Sequence, residues 1–471
     1  MTSLSELLTG IDTGKSFQCD ERPPMAEEVG VVKVSAVSWG EYREQESKTC
    51  MNADRVNADY FIRPGDFLFS RANTIELVGV CVIARQGSLR VMLSDKILRL
   101  QFAWDDLKPW LLHFLGSKAG RLQIEALASG NQESMRNIGQ ERMGQIMVPL
   151  PPRAEQVRIV GKLEELLSEL AAGVADLKAA QTKLQQYRQS LLKSAVEGAL
   201  TAEWRALDSR DRGATLQVLF SAPNPEWLPP SWAWSAVEDL PGMNMANGRS
   251  VPTAGKGAKV LRLTAVRAGR IDLAQCKNGA WSEQEAAPFA VTAGDMLIVR
   301  GNGSRSLVGR AGIVPAVKET VAYPDTLIRL RCSPAWVRPE WLSAVWDSSL
   351  VRDHLEGPAR TSAGIYKISQ PDIASAFVPV PPLEEQDAAL AMLNTEWSRL
   401  ALVEQSITSA ERMAAAQRQN ILRAAFSGQL VPQDPADEPA SALLARIRAE
   451  RAQRPSATQR PRRRPPQPAT P

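Results

Sequence analysis

The sequence predicts an α+β fold: two mixed α/β domains, each followed by a long helix, with the two helices pairing as an antiparallel coiled coil and an internal pseudo-twofold repeat relating the halves. Three observations predict it. The chain has 471 residues, more than one hydrophobic core usually holds. A proline-rich segment recurs after 230 residues, and a long 4-3 pattern of apolar residues follows each copy.

The repeat is carried by two pairs of segments with one constant spacing. Residues 148–152 read Val-Pro-Leu-Pro-Pro and return at 378–382 as Val-Pro-Val-Pro-Pro, and Glu-Gln follows each copy at the same distance. Residues 191–198 return in the same way at 421–428. No residue was gained or lost between the two pairs, which is typical of a duplicated unit.

The first helix is predicted over residues 155–198, which contain no proline, and about 43 residues at 1.5 Å each give a rod of roughly 65 Å. Each helix is expected to end at a C-cap glycine, Gly198 or Gly428. So long a seam requires a partner, and we expect the other helix; the alternative is that each helix packs only on its own domain. The seam positions are Leu163, Leu167, Leu170, Val174, Leu177, Gln181, Leu184, Arg188 and Leu191, and in the second copy Leu393, Trp397, Leu400, Glu404, Ile407, Glu411, Ala414, Arg418 and Ile421.

The region before each helix is expected to contain strands and turns on a shared framework. Short landmarks recur at almost the same spacing, while the stretches between them differ. A shared scaffold with divergent loops is typical of two binding sites for different ligands. The paired landmarks are residues 14–16 with 248–250, 35–37 with 264–266, 65–66 with 294–295, 68–73 with 297–302, and Asp95, Arg99 and Leu100 with Asp325, Arg329 and Leu330.

Several classes of protein are excluded by the residue types present. The five cysteines include no Cys-x-x-Cys pair, so neither structural zinc nor a disulfide framework is expected. The two histidines, His113 and His354, are interpreted as core or surface residues rather than catalysts. The sequence has neither a secretory signal nor a run of about 18 apolar residues, and we expect a cytoplasmic protein. Residues 255–257 lack the spacing of a phosphate-binding loop, and residues 224–227 depart from the adenine-methyltransferase motif at an acidic residue.

Charge is distributed unevenly along the chain. Residues from Arg446 onward contain eight arginines against Glu450, a net +7, whereas the whole chain has a formal charge of +4, so the preceding body carries −3. Neutralising many phosphates generally requires a basic face, so a nucleic-acid role for the body needs local patches or a partner that adds charge. The tail is expected to be disordered, and to touch DNA nonspecifically or to have no function.

This ordered duplication resembles the specificity subunits of type I restriction-modification systems, up to about Pro432. The resemblance is carried by the two Pro-Pro-x-x-Glu-Gln segments, the two long helices, the Gly-Asp and Arg-x-Asn landmarks, and Trp232-Ala233-Trp234. It implies a non-catalytic subunit whose two target-recognition domains read the two halves of a bipartite, asymmetric site in double-stranded DNA. Half-sites read from one side of B-DNA lie about 34 to 36 Å apart.

The resemblance also implies partners and a division of the chain. Two modification subunits would methylate adenine using S-adenosylmethionine, and restriction subunits would translocate and cut DNA using ATP and magnesium, so this chain itself would need no cofactor and no metal. The expected divisions are 1–148, target-recognition domain 1; 149–204, central helical spacer; 205–230, linker; 231–378, target-recognition domain 2; 379–430, distal helical spacer; and 431–471, a disordered Pro/Arg-rich tail.

Base recognition is expected from loops at framework positions, because bidentate arginine to guanine and asparagine to adenine discriminate bases best. The alternative for the loop 301–306 is an ordinary hairpin turn. Lys15 and Arg249 are expected to contact phosphates, which position without specifying. The base-reading candidates are Arg71 and Asn73 in the first domain, and Arg300 and Asn302 in the second. Ser304 and Arg305 are further DNA-binding candidates, in a flexible polar loop that lets the backbone approach phosphate.

A second candidate loop precedes each proline-rich segment. The resemblance makes this loop DNA-facing, since it links the recognition domain to the helix. For any one side chain, plain exposure to solvent is the alternative. The candidates are Asn131, Gln132 and Arg136 in the first domain, and Arg360, Thr361, Ser362, Tyr366 and Lys367 in the second.

The main rival hypothesis is a coiled-coil scaffold whose two domains bind proteins rather than DNA. It explains the helices and the acidic body, but not the arginine and asparagine at matching loop positions of both copies. A nuclease or methyltransferase is opposed by the missing signatures. Modification subunits are expected to dock on charged helix positions, namely Arg158, Lys162, Lys178, Arg188, Arg412 and Arg418.

Overall fold

The chain forms two compact units. The computed structural model describes residues 1–453 apart from residues 86, 88, 133–134, 208–215, 217–219, 221, 268, 358–359 and 363, and describes the backbone alone at 131–132, 360–362 and 451–453. One unit comprises Met1–Asp176 with Ala410–Pro471, and the other comprises Leu177–Ser409. The first long helix, Arg153–Val196, and the second long helix, Leu383–Phe426, each contribute to both units.

The first unit contains a four-stranded antiparallel sheet in the order Leu8–Thr13, Ile97–Phe102, Phe67–Ser70 and Cys81–Ile83. Its further strands are Thr2–Ser3, Cys19–Asp20, Val29–Val32, Ser47–Cys50, Ala72–Asn73, Arg90–Met92, Ser129–Gln132, Met135–Asn137 and Met147–Val148. The shorter helices are Leu4–Leu7, Leu107–Gly116, Lys118–Leu127 and Gln140–Gly144, with 3-10 turns at Val34–Val37, Ala53–Arg55 and Ala58–Tyr60.

The strand Phe67–Ser70 is buried on both faces. Phe67 and Phe69 face a large core that also contains Trp110, whereas Leu68 belongs to a second cluster with Val82. This division follows from the two-residue period of a strand, which sends successive side chains to opposite faces. The sheet therefore joins two cores within one domain.

The second unit contains a six-stranded sheet in the order Asn244–Asn247, Leu327–Arg331, Met296–Val299, Ala311–Ile313, Gly269–Ile271 and Val266–Arg267. Its further strands are Ala233–Ala236, Lys259–Leu261, Cys276–Asn278, Gly301–Asn302, Val321–Ala322, Arg360–Ser362, Ile365–Lys367 and Phe377–Val380. The shorter helices are Ala202–Leu207, Glu283–Ala286, Pro339–Trp346, Ser349–Glu356 and Gln370–Ala374, with 3-10 turns at Val237–Asp239, Leu263–Ala265, Ala287–Phe289 and Arg305–Leu307.

A tryptophan ties each domain to the proline-rich segment before its long helix. In the first unit the indole Nε1 of Trp110 donates to the Pro149 carbonyl at 2.8 Å. In the second unit Trp341 donates in the same way to Pro379 at 3.0 Å. Pro149 and Pro379 are separated by the repeat spacing of 230, so the duplication extends from the sequence to individual hydrogen bonds.

The antiparallel pairing of the long helices is confirmed in each unit taken separately. In the first unit Leu163, near the start of the first long helix, shares a core with Ile421, near the end of the second. In the second unit Leu191, near the end of the first long helix, packs with Leu393, near the start of the second. Among the predicted seam positions, all except Arg418 are buried or partly buried. None of the described helices is both long and apolar enough to cross a membrane.

Both long helices end at the predicted glycines. Gly198 and Gly428 have φ angles of +76° and +73°, in the left-handed region that favours glycine. The backbone amides of Leu200 and Gln429 donate to Ser194 and Ala424 carbonyls at 3.0 and 2.9 Å, which satisfies carbonyls that the last helical turn leaves unpaired. The C-cap prediction is confirmed for both helices.

The expected disorder of the whole tail from residue 431 is wrong for part of it. Ala440–Gln453 forms a C-terminal helix. Leu443 and Ile447, which are 2% and 1% exposed, belong to the core of the first unit, and Arg448 pairs with Glu6 at 3.0 Å. The apolar pair lies on one helix face because its spacing is i, i+4, a signal that the charged composition of the segment obscures. Residues 454–471 lie outside the described residues.

Candidate nucleic-acid interface

The two loops predicted separately in the first domain form one surface. Ala72–Asn73 pairs with Met135–Asn137, which in turn pairs with Ser129–Gln132, and we call this three-stranded element the first small sheet. Asn73 lies directly opposite Arg136 in its register. Candidate residues more than 60 positions apart in sequence are therefore neighbours in the fold.

The second domain repeats the arrangement. Gly301–Asn302 pairs with Ile365–Lys367, which pairs with Arg360–Ser362, and this element is the second small sheet. Asn302 lies opposite Tyr366, at the place where the first small sheet has Asn73 opposite Arg136. Each domain therefore offers a surface of the same construction with different side chains, as expected for two sites with different ligands.

Framework hydrogen bonds fix the backbone of the predicted arginines. The Arg71 amide donates to Lys96, and the Arg71 carbonyl accepts from Ile138, both at 2.9 Å. Arg300 makes the matching bonds to Thr326 and Ile368, again at 2.9 Å. Among the described residues, neither guanidinium has a hydrogen-bond partner. Their positions are set by the main chain, and their donors stay available for a ligand.

The predicted asparagines brace the turn that follows them. The side-chain oxygen of Asn73 accepts from the Thr74 amide at 2.9 Å, and that of Asn302 accepts from the Ser304 amide at 3.0 Å. Such side-chain turns are a common role of asparagine in loops. The amide nitrogen of each side chain keeps its two donors, and the oxygen keeps a second lone pair, so each group retains what adenine recognition requires.

Two other predicted arginines are occupied by carbonyls of their own domain. Arg305 donates through Nε and a terminal nitrogen to the Glu356 carbonyl at 2.9 and 2.6 Å. Arg136 donates to the Gly130 carbonyl at 2.5 Å, and its Nε is buried without a partner among the described residues. These contacts give both arginines a role in holding their loops. The Ser304 side chain, by contrast, is exposed, and its hydroxyl lies 3.1 Å from the Ser306 hydroxyl.

The predicted phosphate contacts occupy equivalent places. Lys15 and Arg249 are exposed, and each stands between a glycine and a serine whose hydroxyl donates to the landmark aspartate, Asp95 or Asp325. The glycines are enforced by close packing, because a Cβ would lie 1.8 Å from the Leu93 carbonyl oxygen in the first domain and 2.2 Å from the Pro324 carbonyl oxygen in the second. The structure therefore places both cations on the same framework feature.

A cleft beside Lys15 contains polar residues that sequence reasoning missed. Its volume is about 980 Å³, and Asn52 and Arg55 line it together with Lys15. The Arg55 guanidinium lies 5.8 Å from the centre of the Phe17 ring. These residues lie in a stretch that diverges between the copies, so the repeat gave no signal for them.

The remaining predicted residues fall into two groups. Tyr366 is partly buried and packs against the core of the second unit, while Lys367 is exposed. The backbone of the others lies in the small sheets, but their side chains lie outside the described part of the structure. These are Asn131, Gln132, Arg360, Thr361 and Ser362.

Two exposed apolar residues were also missed. Met135 and Ile365 are 53% and 43% exposed, and each opens the middle strand of its small sheet. They are separated by the repeat spacing of 230. The available signal was that a large apolar side chain occupies this position in both copies.

The aspartates of the Gly-Asp landmarks, Asp66 and Asp295, each bind an arginine of their own domain. Arg99 binds Asp66 at 3.1 Å and Asp12 at 2.7 Å. Arg331 binds both carboxylate oxygens of Asp295 at 2.6 and 2.8 Å, and this hydrogen bonding raises the pKa of Arg331 although burial opposes it. The sequence spacing pairs Arg99 with Arg329. In the second domain, however, the arginine that binds the landmark aspartate is Arg331, two residues further along the chain.

No group of three or more histidine, cysteine, aspartate or glutamate side chains that could hold a metal ion occurs within the described ranges. The chemistry available on the small sheets is hydrogen-bond donation and apolar contact. Such groups can recognise base edges.

Comparison with known proteins identifies relatives over most of the chain. The specificity subunit of the type I restriction enzyme EcoKI from Escherichia coli K12 is 30% identical over 352 residues, which covers 73% of this chain and 72% of that protein. The StySPI specificity subunit from Salmonella potsdam is 26% identical over 351 residues, with coverages of 73% and 72%. No protein-family model matches.

A solved structure supports the fold. A chain from a type I restriction-modification system, studied for its complex assembly and conformational transition, matches with a TM-score of 0.63 at 19% sequence identity. The match covers 91% of this chain and 97% of that chain. The fold of this chain is therefore found in a solved protein.

Proposed function

Because this chain belongs to the family of type I restriction enzyme specificity subunits, we propose that it reads a bipartite, asymmetric site in double-stranded DNA, with one domain for each half-site. The observation that carries the proposal is the pair of small sheets. Both have the same strand pairing and the same framework hydrogen bonds, yet the residue opposite the shared asparagine differs, Arg136 in the first and Tyr366 in the second. A shared framework that carries two different surfaces is expected if both domains bind DNA in the same way but recognise different base sequences.

Direct base reading is assigned to the arginine that immediately precedes each small sheet, Arg71 or Arg300, and to the asparagine that ends its first strand, Asn73 or Asn302. Arginine can donate two parallel hydrogen bonds to guanine O6 and N7, and asparagine can pair with adenine N6 and N7. In the second domain Arg300 and Asn302 retain the donors that these pairings need. In the first domain Arg71 and Asn73 have the equivalent places.

Phosphate contacts are assigned to Lys15 and Arg249, whose exposed cations stand on the rigid glycine and serine framework. Contacts of this kind fix register and orientation on the duplex. The body before Arg446 carries a formal −3, so long-range attraction to DNA is weak. Strong binding is expected only once partner subunits close around the duplex.

We assign methylation and cleavage to partner subunits. Modification subunits using S-adenosylmethionine, and restriction subunits using ATP and magnesium, would act in the cytoplasm on the site that this non-catalytic chain selects. Of the predicted docking positions, Arg158 and Arg188 are engaged within the chain, by Asp437 at 2.6 Å and Glu404 at 3.1 Å. Lys178, Arg412 and Arg418 are exposed and remain the better docking candidates.

The test is a base-resolution map of adenine methylation in the host genome with and without this gene. Loss of a single two-part asymmetric motif on deletion is the expected result, and the same map reads out both half-sites and the gap. An unchanged map, with the neighbouring methyltransferase shown to be expressed and active, would contradict the proposal and favour the protein-binding scaffold.

A further inference from the structure

We propose that Arg121 and Arg352 are positioning residues of DNA recognition: each holds the loop after the base-reading asparagine by binding its main-chain carbonyls. The inference rests on the proposed function. It concerns residues that neither touch DNA in the proposal nor belong to the two small sheets. The loops in question are residues 74–78 in the first domain and 303–308 in the second.

In the first domain Arg121 extends from the helix Lys118–Leu127 to this loop. Its two terminal nitrogens donate to the Val78 carbonyl at 2.5 Å and to the Ile75 carbonyl at 3.1 Å. The guanidinium also lies 3.5 Å from Glu125, one turn along the helix. The arginine side chain is only 18% exposed, so these carbonyls replace water that it has lost.

In the second domain Arg352 occupies the equivalent place on the helix Ser349–Glu356. It donates to the Ser306 carbonyl of the loop at 3.1 Å and to the Glu356 carboxylate at 2.6 Å. Arg352 is 6% exposed. Its Nε and other terminal nitrogen are buried without partners among the described residues, which leaves donors that can follow the loop if DNA shifts it.

The helix that carries each arginine keeps a serine, the arginine and a glutamate at the same spacing in both domains, whereas the loop sequence differs. Each helix follows a serine, Ser117 or Ser348, whose hydroxyl donates to the carbonyl three residues earlier, and each arginine has its glutamate at i+4. The loops differ in sequence, Thr-Ile-Glu-Leu-Val against Gly-Ser-Arg-Ser-Leu-Val, and the second is one residue longer. The arginine and its helix neighbours are therefore shared by the two domains, while the sequence and length of the loop that the arginine contacts differ.

The end of each loop is clamped against the same helix. Gly79 and Gly309 have φ angles of +76° and +74°. A Cβ on Gly79 would lie 2.5 Å from the Ile124 side chain, and a Cβ on Gly309 would lie 3.1 Å from the Arg352 guanidinium. With its end packed so closely and its middle held by arginine, the loop is constrained at two points.

Binding through main-chain carbonyls explains how one device serves two different loops. Every residue carries a carbonyl, whatever its side chain. An arginine that binds carbonyls therefore positions a loop without restricting which side chains face the DNA. Pre-positioned groups bind with less loss of conformational freedom, so losing the arginine should weaken discrimination in the half-site read by that domain.

The experiment uses the full chain assembled with its modification subunits. Affinity is measured for duplexes carrying the motif from the methylation map, intact or with single base changes in either half-site. Arg352→Met is expected to lower cognate affinity about tenfold and to reduce discrimination only in the half-site of the second domain. Arg121→Met should do the same for the other half-site. Arg352→Lys, which keeps the positive charge and one donor nitrogen but loses the planar fork, should restore part of the discrimination.

Controls separate positioning from stability. The matched control is Arg338→Met, which removes an exposed pair with Asp387 in the same domain. Thermal unfolding is recorded for every variant. If Arg352→Met folds poorly, Glu356→Gln serves instead: it removes the charge that holds the Arg352 guanidinium but keeps an acceptor oxygen, and a smaller loss of discrimination in the same half-site is expected.

Two results would overturn the inference: unchanged discrimination by Arg352→Met despite a lowered unfolding temperature, or an equal loss of affinity across all duplexes. A wild-type complex that binds cognate and scrambled duplexes alike would instead overturn the proposed function, together with the inference built on it.

Discussion

Arg205 donates to the carboxylate of Glu385, the glutamate of the repeated Glu-Gln pair at the start of the second long helix. The glutamate side chain is 1% exposed, and the Thr201 hydroxyl binds the same oxygen at 2.6 Å. The following glutamine donates to the Pro381 carbonyl at 2.8 Å, as Gln156 does to Pro151 at 2.8 Å. Residues of the repeated Glu-Gln motif therefore form hydrogen bonds that fix the start of each long helix.

Removing the cation from this pair should destabilise the second unit. Arg205→Met is expected to lower the free energy of unfolding by about 3 kcal/mol, because it leaves a buried carboxylate without its charged partner. Denaturant unfolding of the full chain measures the change. The matched control is Arg399→Met, whose pair with Glu396 is largely exposed and should cost no more than about 0.5 kcal/mol. Equal effects of the two changes would show that the Glu385 site tolerates an unpaired charge.

Arg300 is expected to specify bases. Arg300→Ala should weaken binding of the assembled complex to its cognate half-site by about 1–3 kcal/mol, with little effect on random DNA. Arg249→Ala, assigned to phosphate, should weaken both by similar amounts. The measurement is a pair of binding titrations at one salt concentration. An equal loss on cognate and random DNA for Arg300→Ala would make that residue a phosphate anchor.

Met135 and Ile365, the exposed apolar residues at the hairpin tips of the two small sheets, are expected to make apolar contact with DNA. Ile365→Ser should reduce cognate affinity about tenfold, which corresponds to about 1.4 kcal/mol, while the unfolding temperature stays constant because the side chain is already 43% exposed. Met25→Ser, at a 68% exposed position of the first domain outside its small sheet, is the control and should bind like the wild type. Wild-type affinity of the Ile365 variant would remove the tips from the interface.

The C-terminal helix is expected to stabilise the first unit. Ile447→Ala should lower the free energy of unfolding by about 2–4 kcal/mol, since it leaves a cavity where a 1% exposed side chain was packed. Glu450→Ala on the exposed side of the same helix should change it by less than about 0.5 kcal/mol. Urea unfolding distinguishes the two. Identical midpoints would mean that this helix leaves the core in solution.

His113 should make the first unit sensitive to acid. Burial lowers the pKa of His113 below its ordinary 6.5, the nearby Arg418 lowers it further, and Glu164 opposes both. The unfolded state therefore takes up a proton more readily, so this stability is present above pH 6.5 and is lost as pH falls through the folded pKa. Unfolding temperatures at pH 7.5 and pH 5 measure the effect, and His113→Gln should show a smaller drop. An unchanged drop would assign the sensitivity to other groups.

Features with local or periodic signals could be predicted from the sequence. The long helices, their seam and their C-cap glycines follow from apolar spacing and from glycine position. The tail helix could not be recognised in this way, because only Leu443 and Ile447 mark its buried face among many charged residues. Local composition does not reveal a core formed by distant residues.

The sequence predicts the candidate site only as separate residues and does not show that they lie together. Arg71, Asn73 and Arg136 were separate candidates, and nothing in their spacing shows that residues 73 and 136 pair as strand neighbours. Arg121 and Arg352 gave no signal, because they act through the carbonyls of a distant loop. Long-range pairing depends on the packing of the complete domain, which a pattern of residue types does not encode locally.

The tight packing around Gly14 and Gly248 has a practical use in comparing distant relatives. Because neither site accommodates a single added carbon without displacing the backbone opposite, a relative that retains the serine-to-aspartate bond beside it should retain glycine. Loops in these domains change in length, so alignments drift between fixed points. The two glycines are therefore suitable anchors for aligning recognition domains whose overall sequence identity is low.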